Sequence, residues 1–274
     1  MMSEQYSPSG FRLLPPVVKN LLIINGLFFL ATLSLKSAYG IDLERYLGLY
    51  YFRSDLFQPY QYVSYMFLHA SIPHLIWNMF ALWMFGYLLE NFWGPKKFLT
   101  YYLLTGIGAG VVQTITHLWS FSSIESAVMA YEQAPSLDAF TLMLNQHFPQ
   151  YYNQLQSFIA SWTVTPDSPG YLQQSFSYIH QLVQLSYDVP TVGASGAVYG
   201  ILLAFGMMFP NMLVYIYFLF PIKAKWIVIL YGAIELFSGI KNNPQDNVAH
   251  FAHLGGMIFG VILILYWRKK PFNH

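Results

Sequence analysis

Apolar runs recur along the chain at about 17–36, 71–93, 98–118, 193–209, 222–240 and 248–267. A helix needs roughly 20 mostly apolar residues to cross a hydrocarbon core about 30 Å thick, so these segments predict six membrane-spanning helices. A polar stretch rich in Gln, Ser and Tyr, 119–189, separates the third from the fourth. Within it, 137–147 and 171–186 carry the spacing of short amphipathic helices, split by Pro149, Pro166 and Pro169. The run 210–221, PNMLVYIYFLFP, is apolar but short and bounded by prolines, and reads as an interfacial loop. The expected order is a polar tail at 1–16, core helices at 17–118, a helical insert at 119–189, core helices at 190–267 and a tail at 268–274. The fold class is an all-α polytopic membrane bundle of six helices.

Composition agrees with lipid as the solvent: 55% of residues are hydrophobic, 19% aromatic and only 9% charged, against about 25% charged in soluble domains. A net charge of +1 gives no basic surface for nucleic acid. With no cysteine, disulfides, thiolate metal sites and a cysteine nucleophile are excluded. The opening stretch MMSEQYSPSGFRLLPP lacks the charged-then-apolar layout of a cleaved signal, so the first apolar run is expected to stay as a span. Lys and Arg placement orients the bundle. With the N-terminus inside, Arg12, Lys19, Lys96, Lys97, Lys223, Lys225, Arg268, Lys269 and Lys270 fall on the inner side. Lys36, Arg45, Arg53 and Lys241 fall outside, where the insert adds five acidic residues and no basic one. Both termini are then cytoplasmic and the insert extracytoplasmic; the expected location is the plasma (inner) membrane of a prokaryote.

Polar side chains inside spans are costly and so need a reason. The second span carries His74 and Asn78, with His69 just ahead of it; the fourth carries Ser195 and Tyr199; the sixth carries His250 and His253. At about 1.5 Å per residue, Ser195 and His253 each lie roughly 22 Å from the inner ends of their helices and Asn78 roughly 24 Å. Three helices thus bring polar groups to one level. Gly196 with Gly200, and Gly256 with Gly260, form small-xxx-small pairs that let helices four and six pack closely.

Ser195 in Gly193-Ala194-Ser195-Gly196 reads either as a small packing residue or as a nucleophile. A serine hydroxyl attacks only when a base takes its proton, and His253 is at the right level to do so. His250 competes for that role but sits about 4–5 Å nearer the outer surface. No carboxylate is evident at the same depth, which predicts a Ser195–His253 dyad, with Tyr199 packing on the base in place of an acid. Glu235, in the fifth span, reads as a structural hydrogen-bonder. Asn78, His74 and the Ser195 amide are candidate donors to an oxyanion.

His69-x4-His74-x3-Asn78, Gly193-Ala194-Ser195-Gly196 and Ala252-His253-x2-Gly256-x3-Gly260 together resemble the three motifs of the rhomboid intramembrane serine proteases. The resemblance covers roughly 17–118 and 190–267. It implies Ser195 as nucleophile, His253 as base, His74, Asn78 and the Ser195 amide as oxyanion hole, Tyr199 stacked on the base, and His69 in a structural or water-handling role. It implies single-pass membrane proteins as substrates, cut in or near an unwound helix, in a lipid bilayer and with no metal or cofactor. Two features depart from the family: Tyr60-Gln61 stands where Trp-Arg is frequent, and the insert is unusually long. Two rivals are an inactive rhomboid-like binder, against which both Ser195 and His253 stand, and a transporter or channel, for which an intramembrane acidic relay beyond Glu235 and an inverted repeat would be expected.

Overall fold

The computed structural model describes residues 11–216, 220–241 and 248–269. Most of the polar tail, Lys270 and the centre of the 210–221 run therefore lie outside the described residues. Helix α1 spans Pro16–Tyr39, α2 Leu43–Leu47, α3 Gln61–Ser64, α4 Ile72–Trp93 and α5 Pro95–Gln133. Then follow α6 Leu137–His147, α7 Tyr152–Val164, α8 Pro169–Tyr187, α9 Ser195–Met208, α10 Ala224–Lys241 and α11 His250–Lys269.

Local chemistry sets the ends of these helices. Pro16 opens α1, where a missing N–H costs nothing, and Gly40 closes it in the left-handed region at φ +67°. The Ser71 side chain caps α4 by accepting from the His74 N–H at 3.3 Å. Among the described residues, four helices, α1, α4, α5 and α11, are long and apolar enough to cross a membrane. Helix α9 has 14 residues, or about 21 Å of length, short of a core about 30 Å thick. Ten of those residues are buried, so α9 faces protein, packed among α4, α10 and α11.

The 210–221 expectation needs correction, although the described residues remain mostly helical. Leu213–Ile216 (β1) and Phe220–Lys223 (β2) pair antiparallel, with Leu213 opposite Lys223 and Ile216 opposite Phe220. A run dominated by Val, Ile, Tyr and Phe favours a pleated backbone, and the hairpin satisfies its amides where a loop would not.

Two compact units emerge. The first takes Met1–Leu49, Gln58–Gln113 and Pro190–His274; the second takes Tyr50–Phe57 and Thr114–Val189. Helix α5 contributes to both, because no Gly or Pro interrupts it between Gly110 and Pro135 even where the apolar run ends. The second unit has its own aromatic core around Tyr131, Phe140, Phe148, Phe158 and Trp162. The hydroxyls of Tyr131 and Ser175 meet inside it at 2.5 Å.

In the first unit, buried polar groups tie apolar helices together, as lipid-embedded packing requires. Glu90 of α4 accepts from the Val17 and Val18 N–H groups at 2.9 and 2.8 Å, capping the positive end of α1. The Tyr101 hydroxyl donates to the Gly200 carbonyl at 2.8 Å, and that of Tyr65 to Gly106 at 2.6 Å. At the Tyr60-Gln61 departure, both side chains donate to the Tyr46 carbonyl, at 3.0 and 3.2 Å. The hydrogen bonding of this pair thus secures the loop ahead of α4.

Candidate active site

Ser195 is the first residue of α9, where the opening amides have no partner within the helix. Gly193 delivers the chain to that point at φ +129°, a conformation that side-chain-bearing residues rarely adopt. Its N–H donates to the Tyr65 carbonyl at 2.9 Å. Space as well as torsion requires glycine here. A Cβ would come within 2.8 Å of His74 Cε1 and 2.9 Å of its Nε2, while lying 3.5 Å from Ser195 Oγ. The His74 ring and the serine hydroxyl therefore flank one point of the backbone.

Helices α9 and α11 meet along their glycines. A Cβ on Gly256 would collide with the Gly196 carbonyl, so these two backbones touch. The second members of the pairs also meet α5: Gly200 lies against Thr105, and Gly260 against Tyr101 of α5 as well as Leu203 of α9. The small-residue stripe thus also serves contacts to α5. This close approach brings His253 Nε2 to 2.8 Å from Ser195 Oγ. The Tyr199 ring lies parallel to the His253 ring, with centroids 4.3 Å apart and planes 8° from coplanar.

His69 is buried with its ring edge-on to His74, centroids 5.0 Å apart. Asn78 is buried too, and one of its amide protons goes to the His74 carbonyl at 3.0 Å. An amide nitrogen carries a second N–H, which that bond leaves free of its own geometry. Ser195, His74 and Tyr199 are only half-buried, so the cluster is not sealed from water.

No carboxylate is expected beside the base from the sequence, and the structure brings Glu235 there. Its Oε2 lies 3.0 Å from His253 Nδ1 and 2.6 Å from His250 Nδ1, and its Oε1 accepts the Tyr199 hydroxyl. The His253 contact is an ion-pair distance without the alignment of a good hydrogen bond. His250 belongs to this carboxylate, which explains an intramembrane histidine one turn above the base. Counting depth set Glu235 apart because the six-span expectation puts it on a span of opposite sense; the readable signal was the cost of a lone carboxylate in an apolar helix. Glu235, His250 and His253 can each offer one ligand atom within 4.8 Å of the others, and a divalent ion could take these three as ligands.

Comparison with known proteins supplies the family. Residues 56–270 match the model of the rhomboid domain. Over 211 residues the chain is 26% identical to an uncharacterized mitochondrial rhomboid protein of Schizosaccharomyces pombe, covering 75% of this chain and 50% of that protein. Over 207 residues it is 23% identical to the mitochondrial RHOMBOID-like protein 12 of Arabidopsis thaliana, covering 76% and 46%. A 66-residue stretch, 24% of this chain, is 35% identical to 25% of Rhomboid-like protease 3 of Toxoplasma gondii. The chain thus spans about half the length of the two mitochondrial relatives, and their names do not support a prokaryotic plasma membrane as its location. With the domain matched across most of its length, the chain belongs to the rhomboid family.

Proposed function

We propose that this chain is an intramembrane serine endopeptidase, with Ser195 as nucleophile and His253 as general base. The observation that carries the reading is the 2.8 Å contact between Ser195 Oγ and His253 Nε2, under the parallel ring of Tyr199. In the reaction, Nε2 takes the hydroxyl proton as Oγ adds to the carbonyl carbon of the scissile bond. The oxyanion so formed is met by the Ser195 amide, His74 and the second N–H of Asn78. His253 then gives its proton to the departing amine, leaving an acyl-serine. Water entering from the half-buried side of the cluster hydrolyses that ester by the same base.

Substrates on this reading are single-pass membrane proteins, cut within or near a transmembrane helix that small or helix-breaking residues unwind. Helices α1, α4, α5, α9, α10 and α11 form the six spans, and the site opens on the side opposite the loops rich in Lys and Arg.

The test is cleavage of a reporter transmembrane helix in liposomes. Wild type should cleave, and Ser195→Ala and His253→Ala should each fall by roughly 10⁴-fold or more. A fluorophosphonate should label wild type and not Ser195→Ala. Equal cleavage by wild type and Ser195→Ala removes the enzyme reading. Binding of the reporter with neither cleavage nor labelling would make the chain a non-cleaving binder of membrane proteins.

A further inference from the structure

The geometry points to Glu235 as the residue that orients the general base, with Tyr199 and His250 fixing the carboxylate in turn; this inference rests on the proteolytic reading above. Glu235 lies on α10 and is 5% exposed, in a helix whose other buried residues are Ala224, Ile227 and Val228. An ionisable group in such a helix is costly unless its partners repay it. Among the described residues its polar contacts all belong to the site: the Tyr199 hydroxyl at Oε1, and His250 Nδ1 and His253 Nδ1 at Oε2. A carboxylate offers about four lone-pair positions, so it can accept from all three donors at once.

The tautomer argument gives these contacts a purpose. To accept the proton of Ser195 Oγ, His253 Nε2 must present a lone pair, so the neutral ring must carry its proton on Nδ1. Nδ1 faces Glu235 Oε2 at 3.0 Å, where a carboxylate favours that tautomer and opposes the flipped ring. When Nε2 takes the serine proton, the positive charge that forms on the ring lies against the same carboxylate. No proton need pass to Glu235; it stays an acceptor throughout. Catalytic contacts are often poorly aligned in a free enzyme and tighten with substrate, as the geometry at Nδ1 requires here.

Tyr199 links the two restraints on the base. Its ring sets the plane of the imidazole, and its hydroxyl binds the carboxylate that sets the rotation within that plane. Glu235 is therefore a positioning residue, acting on bond making through His253.

Three variants measured on the liposome reporter test this. Glu235→Gln keeps the size and removes the charge; kcat should fall about 10²-fold or more with KM little changed. Glu235→Asp should recover a substantial part of that loss, because it restores the charge on a shorter arm. Tyr199→Phe keeps the stacked ring and removes only its bond to the carboxylate; kcat should fall about ten-fold. This variant carries the test if Glu235→Gln does not fold. Wild-type kinetics in Glu235→Gln, or a matched fall in kcat and thermal stability with no recovery in Glu235→Asp, would overturn the positioning role. So would abolition of wild-type cleavage by EDTA, which would mark the cluster as a metal site. An inactive wild type would instead overturn the protease reading itself.

Discussion

Gly193→Ala probes how the backbone presents the nucleophile. At φ +129° an alanine is held in a sparsely populated conformation, which costs about 1–3 kcal/mol. The added carbon would also sit 2.8 Å from His74 Cε1, where ordinary contact begins at 3.4 Å. Relief needs the ring or the loop to move by about 0.6 Å, or the torsion to relax at the cost of the Gly193 N–H bond to Tyr65. Each route shifts His74 relative to Ser195, and a misplacement near 1 Å at a reacting centre costs about 10²-fold in rate. The expected result is a loss of about 1–3 kcal/mol in stability with a fall of roughly 10²-fold in kcat/KM. Gly40→Ala is the control, because Gly40 also has a positive φ, +67°, but a Cβ there meets nothing within 4 Å. It should lower thermal stability in detergent by about 1 kcal/mol and leave kcat/KM at the wild-type value. A Gly193→Ala enzyme with wild-type turnover, or a Gly40→Ala enzyme as impaired as it, would refute the reasoning.

His250→Ala removes one of two imidazoles from Glu235 Oε2 and leaves the Ser195–His253 contact in place. Its cleavage rate should fall by less than about ten-fold, against abolition in His253→Ala, and the reverse ranking would exchange their roles. In the second unit, burial and the Glu125 carboxylate, which accepts from the Tyr187 hydroxyl at 2.9 Å, push that phenol up to about 12. Because this lies above the ordinary value of 10.0, the stabilisation is complete below pH 10 and is lost as pH climbs toward 12. Tyrosine-labelled NMR should show one resonance titrating late, absent in Tyr187→Phe; a resonance titrating near pH 10 would contradict the burial.

What could be read from the chain, and what could not, divides along the direction of the helices. On the six-span reading, Ser195, His253 and Asn78 stand on spans of the same sense, so counting residues from a shared inner boundary compares like with like. The glycines at 193, 196 and 256 were legible for a related reason: close backbone approach leaves no room for a Cβ, and that demand is written into residue type. The paired strands at 213–216 and 220–223 escaped because a short apolar run bounded by prolines reads as an interfacial loop, although its β-branched and aromatic content favours strands. Glu235 escaped for a deeper reason. From Ala224 it lies about 16 Å along a helix of opposite sense, against roughly 22 Å for Ser195, so depth arithmetic sets it apart from the serine. The His253 side chain closes that difference, because its ring offers nitrogens on two sides: Nε2 reaches Ser195 at 2.8 Å and Nδ1 reaches Glu235 at 3.0 Å. One imidazole thus joins groups on two other helices at different levels. A carboxylate that serves a base therefore need not share the depth of the nucleophile; it must lie within reach of the other nitrogen. In a membrane protease that criterion, applied to every intramembrane Asp or Glu, finds the third member where a search by depth does not.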